Sequence, residues 1–293
     1  MNSNIVHLIL MEFFTIYLYL LRKNMAALAV GIMGASGRMG RMLLEAVLQH
    51  PNTNLIHGFV PGFSSLAGVD AGEFIGAKKA GVPLSLLNKD ELDDVGVLID
   101  FSLPDAFDET LQFCLETKTP LVLGVTGLSQ EQENRLKQAS STLAIVYAGN
   151  YSTGVNLSLN LLATTAKVLG FDADVEVIEH HHKHKIDAPS GTALMMANAV
   201  ASARGQTLKT SSIYGRQGAS KRTDGEIGIH AVRGGEIVGE HTVEFIMNGE
   251  IIEITHKAQS RMTFAQGAVR AAIWLQNQPA GLYDMQDVLG LKA

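Results

Sequence analysis

The sequence predicts an α/β protein: a doubly wound parallel sheet comes first, then a second α+β domain built on an open mixed sheet. Three observations carry this prediction. Short apolar runs alternate with helical periodicity in the first half, a glycine-rich turn joins the first run to its helix, and after Asn150 longer strands with turn signals take over. At 293 residues the chain exceeds a typical single core, and it shows no internal repeat or low-complexity linker.

Leu28-Ala29-Val30-Gly31-Ile32-Met33 reads as a buried strand, followed by Gly34-Ala35-Ser36-Gly37-Arg38-Met39-Gly40 and a helix from Arg41 to Gln49. Glycines in that position allow a tight turn and the close approach of a pyrophosphate, which the helix N-terminus stabilises. Ser36 stands where the common dinucleotide fingerprint has its second glycine, so the order strand, turn, helix carries the reading more than the spacing does. An ordinary strand-to-helix turn is the plain alternative.

Asn54 to Val60, Val95 to Phe101, Leu121 to Val125 and Ala144 to Tyr147 read as further buried strands, with helices over Leu103 to Glu116 and Ser129 to Gln138. This rhythm implies a Rossmann-like sheet, whose ligands lie at the carboxyl ends of the strands. The turns Phe101-Ser102-Leu103-Pro104, Gly124-Val125-Thr126-Gly127 and Ala148-Gly149-Asn150-Tyr151 are therefore candidate nicotinamide and ribose contacts.

In the second half, a helix over Gly154 to Leu169 leads to a strand over Asp174 to Glu179, and a helix from Gly191 to Arg204 is ended by Gly205. Ile229 to Arg233 and Glu236 to Met247 flank Gly234-Gly235, and Asn248-Gly249 joins the latter to Glu250 to Lys257. Two successive hairpins are expected. A last helix, Phe264 to Gln276, returns to the first domain.

The densest chemistry lies between these halves. Four histidines and two lysines fill residues 180 to 185 of Glu179-His180-His181-His182-Lys183-His184-Lys185-Ile186-Asp187, and Ala188-Pro189-Ser190-Gly191-Thr192-Ala193-Leu194 follows. Histidine titrates nearest neutral pH, so proton-transfer groups and positive charge are concentrated beside one turn. Ser190 is a good N-cap, leaving Gly191 and Thr192 N–H groups at a helix start that attracts carboxylate or phosphate. The combination suggests a site that holds an acidic molecule and protonates it. A solvated histidine loop is the plain alternative. Metal is the sharper rival, through His180, His182 and His184, but no cysteine accompanies them and no metal is expected.

A net charge of −6 argues against nucleic acid as the main partner. The single cysteine, Cys114, sits in an apolar helix pattern as a core residue and fits a reducing cytoplasm. Ile5 to Leu21 is apolar except for His7, Glu12 and Thr15, with Arg22-Lys23 on the wrong flank for a signal peptide. Met25 is therefore read as the functional start, with 1–24 an extension outside the fold and no membrane partner for the mature chain.

From about Leu28 to the end, the chain resembles the 4-hydroxy-tetrahydrodipicolinate reductase family, long called dihydrodipicolinate reductase, of the diaminopimelate route to lysine. Glu179 to Ala193 is similar to the family signature almost residue for residue. The Gly34-to-Gly40 turn, Gly124-Val125-Thr126-Gly127, Ala148-Gly149-Asn150-Tyr151 and Glu253-Ile254-Thr255-His256-Lys257 resemble family segments in the right order. The resemblance implies reduction of a cyclic imine dicarboxylate, with hydride from a nicotinamide and a proton from the protein. By position, His181 is the acid/base residue and Lys185 its companion donor, while His182, Lys185, Ser190, Gly191 and Thr192 hold the substrate carboxylates.

It also implies a dinucleotide-binding domain over 25–151 with 262–293 returning, a substrate-binding and oligomerisation domain over 152–261, and a cytoplasmic homotetramer. Many family members carry an acidic residue after the second strand, to accept from the adenosine ribose. Here Val60-Pro61-Gly62 stands instead. With Arg38 in the glycine turn to face a 2′-phosphate, NADPH is favoured over NADH. Another Rossmann-type oxidoreductase, or a sensor that binds NAD(P)H without turnover, are the other readings. One geometric tension is visible: on a regular strand His181 and Lys185 share a face while His182 points away, so the backbone must bend for all three to meet one ligand.

Overall fold

The computed structural model describes residues 27–87 and 95–292. The expected extension over 1–24 and the start at Met25 lie outside the described residues.

The first half runs β1 (Leu28–Met33), α1 (Arg38–Gln49), β2 (Thr53–Phe59), the short α2 (Ala71–Phe74), β3 (Leu84–Ser85), β4 (Val97–Asp100), α3 (Phe107–Thr117), β5 (Leu121–Leu123), α4 (Gln130–Ala139) and β6 (Ala144–Tyr147). Then follow α5 (Thr153–Leu169), β7 (Asp174–His181), α6 (Gly191–Ala203), the short α7 (Leu208–Ser211), β8 (Ser212–Tyr214), β9 (Ile227–Arg233), β10 (Gly239–Ile246) and β11 (Ile251–Ala258). The chain closes with α8 (Met262–Leu275), β12 (Gly281–Tyr283) and the short α9 (Met285–Val288).

The first sheet has the order β12-β6-β5-β4-β1-β2-β3, and every pairing in it is parallel. Strands buried on both faces read as continuous apolar runs, as Val97-Leu98-Ile99 does. One face buries Val30, Ile32, Val97 and Ile99 together with residues of α1 and α8. The other buries Leu98, Leu121, Leu123 and Ile145 with Phe107 and Leu111 of α3 and Leu136 of α4. The chain reverses direction across the sheet between β1 and β4, which opens a crevice at their carboxyl ends. Several helix starts differ from the sequence reading: α5 begins one residue early at Thr153, α8 two residues early at Met262, and two further shifts lie in the first half. α1 begins three residues early, so Arg38, Met39 and Gly40 form its first turn, and Pro104 initiates a 3₁₀ turn over Pro104–Ala106 before α3.

The second sheet has the order β11-β10-β7-β9-β8 and is mixed. Asn248-Gly249 does join β10 to β11 in an antiparallel hairpin. The hairpin expected at Gly234-Gly235 is absent. β7 lies between β9 and β10, parallel to the first and antiparallel to the second. The connection instead crosses the end of β7, with Gly234 N donating to His181 O at 2.9 Å and His182 N to Ile237 O at 2.9 Å. The reason is packing: β7 alternates strictly between buried and outward residues, and Val175 and Val177 join Ile227, Ile229, Val243 and Phe245 over Leu162 of α5 and Met196 of α6. A local glycine pair cannot report that a strand more than fifty residues earlier occupies the gap.

Candidate active site

At the end of β1, Gly34 has φ +68°, and a Cβ there would lie 3.1 Å from the Ser102 Cα that follows β4. A Cβ on Gly40 would collide with the Gly34 carbonyl oxygen. Glycine is therefore required at both positions, and β1, α1 and β4 close up around one turn. The N-cap of α1 is Gly37, which offers no side-chain acceptor, and no acidic residue lies in the first turn. Its first N–H groups and the helix dipole are left for an anion, the fit a dinucleotide pyrophosphate needs. Arg38 is exposed at this end, Val60 is buried, and Pro61 and Gly62 are exposed.

Beside the turn, Met39, Gly124, Ala148, Gly149, Asn150 and Tyr151 meet Phe101 and Phe264 in a cleft of about 250 Å³. Of the other cofactor candidates, Gly34, Ala35, Ser36, Gly37 and Arg38 build the turn itself, while Val125 is buried and Thr126 exposed outside the cleft lining. Tyr151 contributes its backbone more than its phenol. The hydroxyl shares its one proton between Leu123 O at 2.8 Å and Val146 O at 3.0 Å.

Strand alternation puts Glu179 and His181 on the same, buried side of β7. The Glu179 carboxylate is fully buried and accepts four hydrogen bonds: from His181 Nδ1 at 2.5 Å, Arg233 Nη1 at 2.7 Å, Arg233 Nη2 at 2.8 Å and Ser190 N at 2.9 Å. Burial raises its pKa, but the Arg233 guanidinium, His181 and the Ser190 N–H together hold it below the ordinary carboxylate value. Burial pulls His181 down despite the opposing pull of Glu179. A Cβ on Gly239 would stand 3.0 Å from His181 Nε2, so the glycine keeps that side of the ring clear.

The backbone bend demanded by the sequence occurs at once. β7 ends at His181, and Lys185 N donates to His182 O at 3.1 Å to close a turn. Lys185 Nζ pairs with Asp187 at 2.8 Å, and Arg233 Nη2 donates to Asp187 O at 2.7 Å, so one arginine ties the Glu179 carboxylate beneath His181 to the Lys185 turn. His182 Nδ1 is buried without a partner among the described residues. Lys183 and His184 are exposed toward Glu236. His180 faces the other side of the sheet, so the spaced histidines do not converge, and among the described residues no cluster of three or more His, Cys, Asp or Glu could hold a metal. Ser190 caps α6 by accepting from Ala193 N at 3.1 Å, with no acidic residue in the first turn. Asn150 Nδ2 donates to Thr192 Oγ1 at 3.0 Å, joining the cleft to this helix start.

Sequence reasoning missed Glu179, Arg233, Gly239 and His241 as site residues. Only Glu179 carried a local signal, an acid two residues before His181 on one strand. The others arrive by strand pairing, as with Arg233, whose register partner is His181.

A doubly wound parallel sheet with a bare glycine-capped helix start, beside a second sheet that buries an imidazole on a carboxylate, defines a nicotinamide-dependent oxidoreductase. Sequence models for the dihydrodipicolinate reductase N-terminus and C-terminus match residues 28–151 and 154–289. The chain belongs to the dihydrodipicolinate reductase family. A 4-hydroxy-tetrahydrodipicolinate reductase from Psychrobacter arcticus is 56% identical over 271 residues, 92% of this chain and 98% of the relative. That of Acinetobacter baumannii is 51% identical over 267 residues, 91% and 97% of the two chains. Among solved structures, the dipicolinate-bound dihydrodipicolinate reductase of Paenisporosarcina sp. TG-14 shares the fold with TM-score 0.71 at 24% identity, covering 89% of this chain and 98% of that one. Among the described residues no helix is long and apolar enough to cross a membrane.

Proposed function

We propose that this chain reduces 4-hydroxy-tetrahydrodipicolinate to tetrahydrodipicolinate, the 4-hydroxyl leaving as water and the conjugated imine so formed taking up hydride and a proton, in the diaminopimelate route to lysine, with His181 as proton donor. The observation that carries the reading is the Arg233–Glu179–His181 chain, centred on a buried carboxylate and set against the Ser190 helix start.

The nicotinamide, when bound, supplies hydride. Gly34, Ala35, Ser36, Gly37, Arg38 and Met39 hold its pyrophosphate end through the α1 N–H groups, and Gly124, Val125, Thr126 and Ala148 to Tyr151 border the nicotinamide and its ribose. NADPH is favoured over NADH because Val60-Pro61-Gly62 offers no carboxylate to the ribose hydroxyls and Arg38 is exposed beside the turn.

The Ser190 hydroxyl, the N–H groups of Gly191 and Thr192, His182 and Lys185 receive the two substrate carboxylates. Lys185 exchanges Asp187 for the substrate as it does so. Glu179 fixes one proton of His181 on Nδ1, so the proton delivered leaves from Nε2, on the side Gly239 keeps clear. The ring is returned neutral with Nδ1–H still on Glu179. The protein works as a cytoplasmic homotetramer assembled through the second sheet, where β11 exposes Ile251 and Ile252 and β9 exposes Val232.

His181→Gln tests the assignment. kcat/KM should fall by about 10²- to 10⁴-fold, the usual contribution of general acid catalysis, while NADPH affinity is retained. A fall of less than about tenfold would remove His181 as the donor.

A further inference from the structure

Ser190 makes one more hydrogen bond than a helix cap needs. Its Oγ accepts from Ala193 N and also lies 3.0 Å from His241 Nε2. A hydroxyl has one proton to give and two lone pairs to offer. The cap takes one lone pair, so His241 decides the rest. If Nε2 accepts, the hydroxyl proton is consumed and Ser190 has nothing to donate to a ligand. If Nε2–H donates, the second lone pair is filled and the hydroxyl proton is free.

The surroundings of His241 select between these states. The residue is 4% exposed, and its Nδ1 has no hydrogen-bond partner among the described residues. Burial, reinforced by the neighbouring His181, lowers its pKa to about 3, so near neutral pH only one ring nitrogen carries a proton. Placed on Nδ1, that proton would be a buried donor with no acceptor. Placed on Nε2, it leaves Nδ1 as an unused lone pair, and buried structures tolerate idle acceptors better than orphaned N–H groups.

We infer that His241 is a positioning residue for the carboxylate site: its Nε2–H donates to Ser190 Oγ and turns the serine's own proton outward as a donor to the ligand. The same device acts two residues on, within the same first turn. Asn150 Oδ1 accepts from Ser152 N at 2.8 Å, which fixes the amide so that Nδ2 donates to Thr192 Oγ1 and leaves the Thr192 proton free. Two hydroxyls and the N–H groups of Gly191 and Thr192 then present donors only, an arrangement that accepts a carboxylate and rejects a carboxamide in its place.

This inference rests on the dicarboxylate reading above, and the test separates the two. Neutron crystallography of the perdeuterated full chain should show deuterium on His241 Nε2; deuterium on Nδ1 would overturn the inference. Dipicolinate binding should weaken roughly tenfold or more in His241→Leu, the loss expected for one donor to a charged group. It should stay within about threefold in His241→Gln, which retains a side-chain donor. In a Ser190→Ala background, His241→Leu should add nothing, because the histidine acts through the serine; additive losses would assign it a merely structural role. Failure of the unaltered protein to bind dipicolinate would refute the dicarboxylate reading, while the deuterium position would still decide the role of His241.

Discussion

The helix starts of the two halves solve opposite problems. α1 begins at Gly37 with no side-chain cap, whereas α6 begins at Ser190, whose Oγ accepts from Ala193 N and meets His241. A bare start leaves its N–H groups to the ligand, which suits a pyrophosphate that brings several strong acceptors and needs close backbone approach. A serine start gives up one N–H and gains a hydroxyl whose direction a neighbour can set. α5 supplies the control: Ser152 accepts from Val155 N at 3.3 Å and lies 3.3 Å from His256 Nε2, on the strand position paired with His241. The same serine and histidine pair there holds a helix end that the proposed site does not use. What distinguishes α6 is the adjacent His181, Glu179 and Lys185 turn.

The largest way to break the comparison is Gly40→Ala. The new methyl would meet the backbone oxygen of Gly34 and the backbone of Ala35, neither of which is free to move. NADPH affinity measured by fluorescence titration should fall by more than about a hundredfold, with overpacking costing about 1–3 kcal/mol in urea unfolding. Dipicolinate affinity of the folded fraction should be unchanged. Intact NADPH binding would mean that the α1 turn is not where the dinucleotide sits.

Gly37→Ser sharpens the contrast by giving α1 the cap that α6 has. The N-cap backbone at φ −72° and ψ 170° already suits serine, although the Cβ would sit 3.2 Å from Gly34 O. Its Oγ would capture one first-turn N–H that the phosphate otherwise receives. NADPH affinity should drop about 10- to 100-fold, the value of one hydrogen bond to a charged group, with stability changed by only a few tenths of a kcal/mol. Unchanged affinity would show that the bare start is incidental.

The two regions were also unequally legible in the sequence. The first sheet could be read locally: β1 and β6 have the bounds their apolar runs predict, α4 lies within one residue of its expected span with Ser129 as its cap, and the glycine turn is contiguous. β3 and β12 were missed because two or three residues hold too little pattern to register. In the second sheet the histidine turn announced itself, but the residues that govern it did not. Arg233 and His241 reach His181 only because β7 is inserted between β9 and β10, the pairing that the Gly234-Gly235 signal concealed. Periodicity reports which face of a strand is buried and is silent on its neighbours.

The smallest effect isolates the buried histidine that this pairing creates. His241 has an ordinary value of 6.5 and a folded pKa of about 3, so the unfolded chain binds its proton first as pH falls. More protons on the unfolded state means stability rises with pH; the contribution of neutral His241 is complete above about pH 6.5 and is lost progressively down to about pH 3. His181 and His256 are shifted in the same direction, and burial is the leading cause in both. Glu226, near 2 when folded, and the other depressed carboxylates respond from the ordinary carboxylate value downward, while Asp100, raised by burial, opposes the histidines above that value; comparing the variant with the unaltered protein cancels both. His241→Gln removes one such proton while keeping a donor to Ser190. Urea unfolding across this window should therefore show a slope shallower by up to about 1.4 kcal/mol per pH unit than the unaltered protein. An unchanged slope would mean that His241 is not held neutral, and with it would fall the argument that a single Nε2 proton sets the direction of the Ser190 hydroxyl.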